Sequence, residues 1–439
     1  MAAGYWTRRE FLTTGLSALG AAAVVRPSTV KQGVFADVGG NTADETPTAD
    51  RMNVVVIISD DQDYPSLGVM RKLNGLMGIG SPMVGWTNFE NCGVAQGLCA
   101  PSRASFLTGR YPHEHGVTSN LDNWRLDDSQ TLPVWLKAAG YRTALLGKYL
   151  FGDKKIKPMP PGWDVFDQGG RSDTLAPKAE TYIRSVAGGG PFFLVVSTTD
   201  PHRPYYVPSR YKNAEIDMPY LGPEDSDLSD RPEWVRKLRR RRRGEPKADI
   251  NAYRVVLAVD DLIERVVGVL SEVGEIGNTV VVFMSDNGYS WGSNGIYGKN
   301  APYEPSIHVP LAIFDPRSDA NRVCGRVVSA IDVTPTLVEL AGATAGLPLS
   351  GRSLVPLLRG GSVEWDDAML IQGHPSPHYG NGDWFGVRDG RYTYIEISTG
   401  ERELYDRLAD PWQNENVAGR PEYAEVRADL ATRLVELRG

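Results

Sequence analysis

The sequence predicts an α/β fold in which a large, mostly parallel sheet is sandwiched by helices and followed by a smaller α+β subdomain. Continuous apolar runs rich in β-branched residues support this prediction, at residues 52–59, 191–198 and 279–285. Such runs are typical of strands that are buried on both faces, as in parallel sheets. Helical patterns lie between them, for example at residues 132–139 and 252–273. Strands that alternate with helices favour a sheet covered by helices on both faces.

The length and the charge of the chain limit its class. Its 439 residues exceed the roughly 250–300 residues that one hydrophobic core supports, so a second, smaller unit is expected. A net charge of −7 argues against nucleic acid or anionic lipid as a partner. Three cysteines are too few for a disulfide framework, and the sequence leaves open whether Cys92 and Cys324 meet.

Residues 1–30 have the organisation of an export signal. Arg8 and Arg9 precede an apolar, small-residue run over residues 13–25, and the pair resembles a twin-arginine signal. The run is shorter than the roughly 20 residues that span a bilayer. We therefore expect export by the twin-arginine translocase, to the cell exterior, periplasm or cell wall, without stable membrane insertion. A short membrane anchor is the alternative. Residues 31–50 are expected to be a flexible spacer.

The rest of the chain is predicted to form two parts. Residues 51–360 carry the strand and helix patterns of the large domain. After residue 360, short strand-like pieces at residues 369–372 and 392–397 sit among turns, and a final helix is predicted over residues 422–437. Residues 361–439 are therefore expected to form the smaller C-terminal subdomain.

Two of the predicted strands end in oxygen-bearing side chains. Asp60 and Asp61 follow the first run, and Asp286 and Asn287 follow the third. Because ligands bind at the carboxyl ends of parallel strands, these residues are candidate metal ligands. Their oxygens suit Ca²⁺ or Mg²⁺ rather than zinc, and Ca²⁺ is the ion we expect, with Mg²⁺ as the alternative. Each pair alone would also suit a helix cap or a turn.

A short string between these two pairs carries the strongest signal. Residues 99–110 read Cys-Ala-Pro-Ser-Arg-Ala-Ser-Phe-Leu-Thr-Gly-Arg, which resembles the signature of the sulfatase family in the alkaline phosphatase superfamily. The resemblance implies an alkaline phosphatase-like fold for residues 51–360, which would be the catalytic domain. It also implies that a formylglycine-generating enzyme oxidises Cys99 to formylglycine, whose hydrate is the nucleophile. A buried core thiol is the alternative for Cys99.

The resemblance continues along the chain in the family's order. It covers both metal pairs, two lysines, a histidine motif and two structural motifs, at Asp60-Asp61, Lys148, Asp200-Pro201-His202, Asp286-Asn287, Lys299, residues 331–337 and residues 403–406.

These matches imply a role for each residue. The side chain made from Cys99 would join the two strand-end pairs as a metal ligand, and Arg103 would hold it in place. Lys148 and Lys299 would bind the sulfate, and His202 would protonate the leaving oxygen. One hydroxyl of the hydrate would attack sulfur, and loss of a proton from the other would expel sulfate.

The base for that last step is less well defined by the sequence. Many family members have a histidine two residues after the first lysine, where this chain has Leu150. His115 is the expected substitute, with His113 in reserve, although either would also suit a cap on the turn after the Cys99 helix. Asn294 likewise stands where relatives often have a histidine, which would alter the contacts with substrate.

Several segments look closest to the N-acetylglucosamine-6-sulfatases, at residues 60–63, 147–150, 160–164 and 228–234. We therefore expect a sulfuric ester hydrolase that releases inorganic sulfate from a sulfated small molecule or glycan, with 6-sulfated N-acetylglucosamine first. The alternatives are a broad arylsulfatase, a phosphonate monoester hydrolase with the same nucleophile, and an inactive, secreted glycan-binding protein. A zinc phosphatase is disfavoured because the chain lacks a histidine-rich ligand set.

Two further groups of residues have both a functional and a structural interpretation. The basic run of Arg236, Lys237 and residues 239–243 would suit a sulfated glycan, or simply a solvated loop. Five side chains are candidates for the rim of a sugar site: Trp291, Tyr297, His374, His378 and Trp384.

Overall fold

The architecture comes from a computed structural model that describes residues 51–78, 80–151, 159–219, 227–241, 249–293, 296–361, 363–375 and 382–439, with the backbone alone for residues 238–241. The expected export signal and spacer at residues 1–50 lie outside the described residues, as do Asn294, His378 and residues 242–243 of the basic run. The described residues all belong to one compact unit. No helix in the part that the structure describes has the length and apolar character needed to cross a membrane.

The strands, numbered in chain order, are β1 (Asn53–Ser59), β2 (Trp86–Phe89), β3 (Cys92–Gly93), β4 (Arg142–Gly147), β5 (Val165–Gln168), β6 (Phe192–Ser197), β7 (Thr279–Ser285), β8 (Ser290–Trp291), β9 (Tyr297–Gly298), β10 (Leu311–Phe314), β11 (Arg322–Cys324), β12 (Val328–Ser329), β13 (Ala368–Gly373), β14 (Trp384–Asp389), β15 (Tyr392–Ile397) and β16 (Arg402–Asp406).

The α-helices are α1 (Arg71–Met77), α2 (Cys99–Thr108), α3 (Pro112–His115), α4 (Leu132–Ala138), α5 (Ser172–Val186), α6 (Glu233–Arg241), α7 (Ile250–Glu272), α8 (Glu304–Ile307), α9 (Val333–Leu340), α10 (Val355–Leu358) and α11 (Ala424–Arg438). Short 3₁₀ helices lie at Tyr64–Val69, Asn123–Arg125, Ser209–Tyr211, Ile276–Asn278, Ala330–Asp332 and Pro421–Tyr423.

The main sheet has eight strands in the order β11-β2-β10-β7-β1-β6-β4-β5. Strands β7, β1, β6, β4 and β5 run parallel, and β10 is antiparallel to both of its neighbours. This arrangement confirms the predicted mixed and mostly parallel sheet. Strands β1, β6 and β7 are buried along their whole length, as their continuous apolar sequences predict.

Alternate side chains of β1 point into two different cores. Val55 and Ile57 pack in the core that contains apolar residues of α5 and α7. Val54 and Val56 belong to the other core, together with residues of α2, α4 and α9. Because successive side chains of a strand face opposite sides, helices cover both faces of the sheet, as predicted.

The C-terminal part forms a separate antiparallel sheet in the order β13-β14-β15-β16. Helix α11 packs on it through Leu430 and Leu434. The predicted strands at residues 369–372 and 392–397 lie in β13 and β15, and the predicted final helix overlaps α11. The smaller α+β element of the predicted fold is therefore confirmed.

Candidate active site

Four parallel strands bring the predicted site residues to one edge of the main sheet. Strands β7, β1, β6 and β4 are neighbours in that order. The polar residues that follow them are Asp286 and Asn287, Asp60 and Asp61, Asp200 and His202, and Lys148. The strand ends are aligned, because the Asp286 N–H donates to the Ser59 carbonyl at 3.1 Å and the Lys148 N–H to the Ser197 carbonyl at 2.7 Å.

The approach of Lys148 to this edge depends on Gly147. Gly147 has a φ of +112°, and a Cβ at this position would lie 1.9 Å from the carbonyl oxygen of Ser197. Only glycine allows two backbones to approach so closely at a positive φ. Gly147 therefore holds the backbone of Lys148 against the end of β6.

Cys99 is the first residue of α2, and its side chain is fully buried. Its Sγ lies 2.6 Å from Lys299 Nζ and 3.6 Å from Asp60 Oδ1. Asn120 holds the start of the helix, since its Oδ1 accepts a hydrogen bond from the Ala100 N–H at 3.0 Å. Burial raises the pKa of the Cys99 thiol to about 12, although the nearby lysines act in the opposite direction. The unmodified side chain is therefore a neutral thiol at neutral pH.

The oxygen donors converge on one place. Asp60, Asp61, Asp286 and Cys99 each offer one ligand atom, and these atoms all lie within 4.8 Å of one another. Asn287 Oδ1 is buried and has no hydrogen-bond partner in the described residues, while its Nδ2 donates to Asp61 Oδ1 at 2.7 Å. A buried oxygen with free lone pairs beside three carboxylates fits a hard cation such as Ca²⁺ or Mg²⁺.

Cations surround the same carboxylates. Lys148 Nζ lies 2.6 Å from Asp60 Oδ2 and 3.6 Å from Asp286 Oδ2, and Lys299 contacts Asp61. Burial opposes the charge of Lys148, yet its pKa is raised because Asp60 favours the ammonium form. Burial likewise would raise the pKa of Asp60, yet that pKa is lowered because Lys148 favours the carboxylate. Both partners therefore stay charged in a buried site.

Arg103 lies on α2 and is buried beneath the cluster. Its Nε donates to Asp286 Oδ2 at 2.7 Å, and its Nη1 donates to the Lys148 carbonyl at 3.1 Å and to Ser197 Oγ. Its Nη2 is buried and has no hydrogen-bond partner in the described part of the chain. Arg103 thus ties the ends of three strands to the helix that begins with Cys99. No sequence pattern indicates Ser197, because only the sheet register places it here.

His202 lies on the turn after β6, and its ring faces the cluster. Its Nε2 is 3.6 Å from Asp61 Oδ2, and its Nδ1 donates to the Arg203 carbonyl. Asp200 fixes this turn from behind, because its carboxylate accepts from the Ser172 N–H and from Arg171 Nη1, each at 2.8 Å. With Nδ1–H held by a carbonyl, any proton that passes to or from the cluster does so at Nε2.

His115 and His113 have other partners. The Val117 N–H donates to His115 Nδ1 at 3.1 Å, which places the ring proton on Nε2, and Nε2 lies 3.0 Å from Ser105 Oγ. These are the contacts of a turn cap, the alternative that the sequence left open. His113 Nδ1 lies 2.6 Å from Gln372 Oε1, so this ring faces the C-terminal sheet.

The expected sugar rim is only partly supported. Trp291 and Trp384 are 5% and 1% exposed, so neither offers a face to a sugar, and this expectation was wrong for both. The indole rings pack in the hydrophobic cores, and burial of such large apolar surfaces is more favourable than exposing them at a sugar site. His374 is half-buried and pairs with Asp383 at 2.7 Å. In the basic run, Lys237 pairs with Glu233 at 2.9 Å. The expectation of a solvated loop was wrong for this part of the run, because residues 236–241 continue helix α6.

Known families match both parts of the chain. The profile described as Sulfatase matches residues 52–343, and the profile described as N-sulphoglucosamine sulphohydrolase, C-terminal, matches residues 292–439. The N-acetylglucosamine-6-sulfatase of Capra hircus is 30% identical over 379 residues, which cover 73% of this chain and 66% of the relative. The chain thus spans about two thirds of the length of that relative.

Solved structures share the fold. A protein in complex with its substrate D-glucosamine-2-N,6-O-disulfate superposes with a TM-score of 0.74 at 22% identity, over 88% of this chain and 97% of that chain. The phosphonate monoester hydrolase of Agrobacterium radiobacter has a TM-score of 0.70 at 23% identity, over 88% of this chain and 95% of that chain. At these identities the likeness shows the fold alone.

Proposed function

The chain belongs to the sulfatase family of sulfuric ester hydrolases, and from that premise we propose that it releases inorganic sulfate from a sulfated glycan, with 6-sulfated N-acetylglucosamine first. The observation that carries this proposal is the buried Cys99 side chain, 2.6 Å from Lys299 and beside the Asp60–Lys148 pair. Fixed cations around one reacting side chain suit attack on a negatively charged ester. Identity of 30% to an N-acetylglucosamine-6-sulfatase supports the choice of sugar.

We propose that Cys99 is first converted to formylglycine by a formylglycine-generating enzyme. In that conversion the C–S bond and one C–H bond of the side-chain carbon break and a C=O bond forms. The sulfur leaves as hydrogen sulfide, and two electrons pass to an oxidant such as dioxygen. Addition of water to the aldehyde then places two hydroxyls on one carbon. One oxygen bonds to sulfur while the bond from sulfur to the leaving alcohol breaks. Loss of a proton from the second hydroxyl re-forms the carbonyl and releases sulfate.

The oxygen donors are proposed to hold one divalent cation, Ca²⁺ before Mg²⁺. Asp60, Asp61, Asp286 and Asn287 would bind it together with the side chain of residue 99, and five oxygen donors suit the higher coordination number of Ca²⁺. When bound, the ion would supply positive charge beside the sulfuryl oxygens and lower the pKa of a neighbouring hydroxyl.

Lys148 and Lys299 supply fixed positive charge at residue 99. Burial opposes the charge of Lys299, yet its pKa is raised well above the usual value because Asp61 favours the ammonium form. An ammonium held in a buried site stabilises charge that develops on the ester oxygens without any reorganisation of water. Arg103 positions the helix start, and its free Nη2 would donate to an oxygen on residue 99.

His202 is proposed to protonate the leaving oxygen from Nε2. The Arg203 carbonyl keeps a proton on Nδ1, so the imidazolium form presents Nε2–H to the cluster. After the transfer the ring is neutral with a free Nε2, which suits it to accept the proton of the second hydroxyl. His115, the base expected from the sequence, has both ring nitrogens beside Ser105 and Val117, and we assign it to the turn.

We also propose that the folded chain leaves the cell through the twin-arginine translocase. The support is the Arg8-Arg9 pair with the apolar run that follows it. Because this route carries folded proteins, oxidation of Cys99 and metal loading would precede export.

The substrate class is tested by comparing three compounds with the same purified protein. These are N-acetylglucosamine 6-sulfate, a simple aryl sulfate and an aryl phosphonate monoester. We expect the largest kcat/KM for the sugar sulfate. Turnover of the aryl sulfate alone would support sulfatase activity and reject the proposed sugar substrate. Faster hydrolysis of the phosphonate would overturn the proposed sulfatase activity.

A further inference from the structure

A cavity lies beside His202, outside the metal cluster. It has a volume of about 640 Å³ and is lined by Arg203, Pro204, Tyr205, Asp249 and Asn251. This volume is in the range of sites that bind small molecules, and the cavity is widely open to solvent rather than enclosed. The lining joins the turn after β6 to the residue that caps α7, since Asp249 Oδ1 accepts from the Asn251 N–H at 2.9 Å. The mouth of the cavity is therefore built on the same turn that carries the proposed acid.

Arg203 is held in place without neutralising its charge. Its Nε donates to the Tyr205 hydroxyl at 2.9 Å, and its guanidinium carbon lies 5.5 Å from the Tyr205 ring centroid and 5.9 Å from that of Tyr289. Tyr289 in turn packs on Trp291, with ring centroids 4.5 Å apart. A guanidinium that is held by aromatic rings can still donate hydrogen bonds from its outer N–H groups to a carboxylate or a sulfate.

The neighbouring arginines differ from Arg203. Arg171 lies 2.8 Å from Asp200, and Arg210 contacts both Asp173 and Asp261. Among the described residues, no carboxylate lies within ion-pair distance of Arg203, which is exposed. Arg203 is thus a cation that faces the cavity without a salt-bridge partner in the described part of the chain. Asp249, which lines the same cavity, places one negative charge near it.

The position of His202 indicates which part of a bound substrate would lie near this cavity. A residue that protonates the leaving oxygen must lie on the side of the alcohol, and in a sulfated glycan the alcohol is the sugar. The Arg203 carbonyl contacts His202 Nδ1, so the cavity begins one residue from the acid. The sugar, rather than the sulfate that is released, would therefore extend towards Arg203.

We infer that Arg203 and this cavity bind a second anionic group of the glycan, separate from the ester that is hydrolysed. This inference rests on the proposed function. The guanidinium would bind the carboxylate or sulfate, and the Tyr205 ring would pack against the sugar. Asp249 and Asn251 would form hydrogen bonds with sugar hydroxyl groups. The enzyme would thus prefer acidic glycans to neutral ones that carry the same 6-sulfate.

The test compares Arg203→Met with wild type on three substrates. N-acetylglucosamine 6-sulfate has no second anion, its N-sulfated counterpart has one on the same ring, and a disaccharide with a neighbouring uronic acid has one on the next ring. We expect the variant to lose about tenfold more kcat/KM on one or both acidic substrates than on the first, mainly through KM, which is typical of one charge-assisted contact. The substrate that shows the loss identifies the source of the anion.

Arg184→Met is the matched control, because Arg184 is an exposed arginine on α5 that pairs with Glu272. This variant should have the same kcat/KM as wild type for all three substrates. An equal loss on all three substrates for Arg203→Met, or no loss on any, would overturn the inference.

Failure of the proposed sugar is distinguishable from failure of the inference. If wild type hydrolyses only an aryl sulfate, the same acidic disaccharide without its 6-sulfate is tested as an inhibitor of that reaction. Weaker inhibition of Arg203→Met than of wild type would support the anion site, and equal inhibition would reject it. A Cys99→Ala background provides binding constants by calorimetry that do not depend on turnover.

Discussion

At the scale of single residues, position 99 determines the kind of chemistry that the site performs. A serine there would keep a hydroxyl of similar size at the same buried helix start. Its sulfate ester would have no second hydroxyl on the same carbon, so sulfate could not be expelled.

We therefore expect Cys99→Ser to react once and then stop. The intact protein should gain the mass of one sulfuryl group after incubation with substrate, and multiple-turnover sulfate release should fall by more than about 10³-fold. Mass spectrometry and a sulfate assay check the two parts. Sustained turnover by this variant, or the same mass gain in Cys99→Ala, would contradict the mechanism.

His115 gives a pH-dependent prediction at the same scale. Burial lowers the pKa of its ring to about 3, whereas the unfolded chain should titrate near about 6.5. Between these values the unfolded state binds more protons, so the free energy of unfolding falls as the pH is lowered. Between pH 7 and pH 5, protonation of this one group in the unfolded state should lower the free energy of unfolding by about 2 kcal/mol.

Urea unfolding of wild type and His115→Gln at both pH values checks this prediction. Between pH 7 and pH 5, the free energy of unfolding should fall less for the variant than for wild type. The variant should also retain catalytic turnover at pH 7. A loss of turnover with unchanged pH dependence of stability would favour His115 as the base instead.

The strand-end chemistry predicted the carboxylates, and the resemblance to the sulfatase family predicted the lysines and Cys99. The structure brings these residues together. The sequence did not predict Ser197 or Asn120, because a serine and an asparagine far apart in sequence have no distinguishing pattern. Trp291 was wrongly expected at the rim because composition does not say which face of a chain turns inward.

At the scale of elements, the site depends on how strand ends align. The long apolar runs predicted β1, β6 and β7, since their burial on both faces leaves a clear pattern. The short strands β8 and β9 were not predicted, because two residues are too few to show a period. The close approach of β4 to the end of β6 requires glycine at position 147, and this requirement is visible only in three dimensions.

Gly147→Ala tests this alignment. Its Cβ would lie 1.9 Å from the Ser197 carbonyl oxygen, so the strands must separate and Lys148 must move. We expect a loss of about 3 kcal/mol or more in the free energy of unfolding and a lower kcat. The control is Gly188→Ala, which also has a positive φ (+69°) but meets no atom within 4 Å. Equal losses in the two variants would contradict the proposed close approach.

At the scale of the whole molecule, a largely buried ion pair joins the main sheet region to the C-terminal sheet. Glu304 on α8 accepts from Arg388 on β14 at 2.7 and 2.8 Å, and Arg407 Nε lies 3.8 Å away. Burial would raise the pKa of Glu304, yet that pKa is held well below its usual range because Arg388 and Arg407 favour the carboxylate.

Glu304→Gln should therefore destabilise the protein by about 3–5 kcal/mol, because two buried guanidinium groups lose their counter-charge. Denaturant unfolding measures the loss. Glu304→Gln combined with Arg388→Met should recover part of it, whereas Glu272→Gln in an exposed pair should change little. A loss no larger than that of the exposed pair would show that the two parts are held together by apolar packing alone.

Export is a prediction about the whole chain. Replacing Arg8 and Arg9 with lysines should retain the protein inside the cell, because the translocase reads the arginine pair. Comparing the amounts inside and outside the cell checks this result. Unchanged export would exclude the twin-arginine route, and Arg51→Lys serves as a control outside the signal.

The fold class of the whole molecule was predictable because the strand and helix patterns and the family signature agree on one architecture. The cavity beside His202 was not, because it is built from residues 203–205 and from Asp249 and Asn251. Nothing in the sequence indicates that these two segments meet.

The role of residue 99 as the nucleophile is best tested with protein in which mass spectrometry confirms an aldehyde at this position. The quantity to measure is the release of inorganic sulfate from N-acetylglucosamine 6-sulfate. We expect repeated turnover that depends on a divalent cation and disappears in Cys99→Ala. Sulfate release that persists in Cys99→Ala would contradict the assignment of residue 99 as the nucleophile.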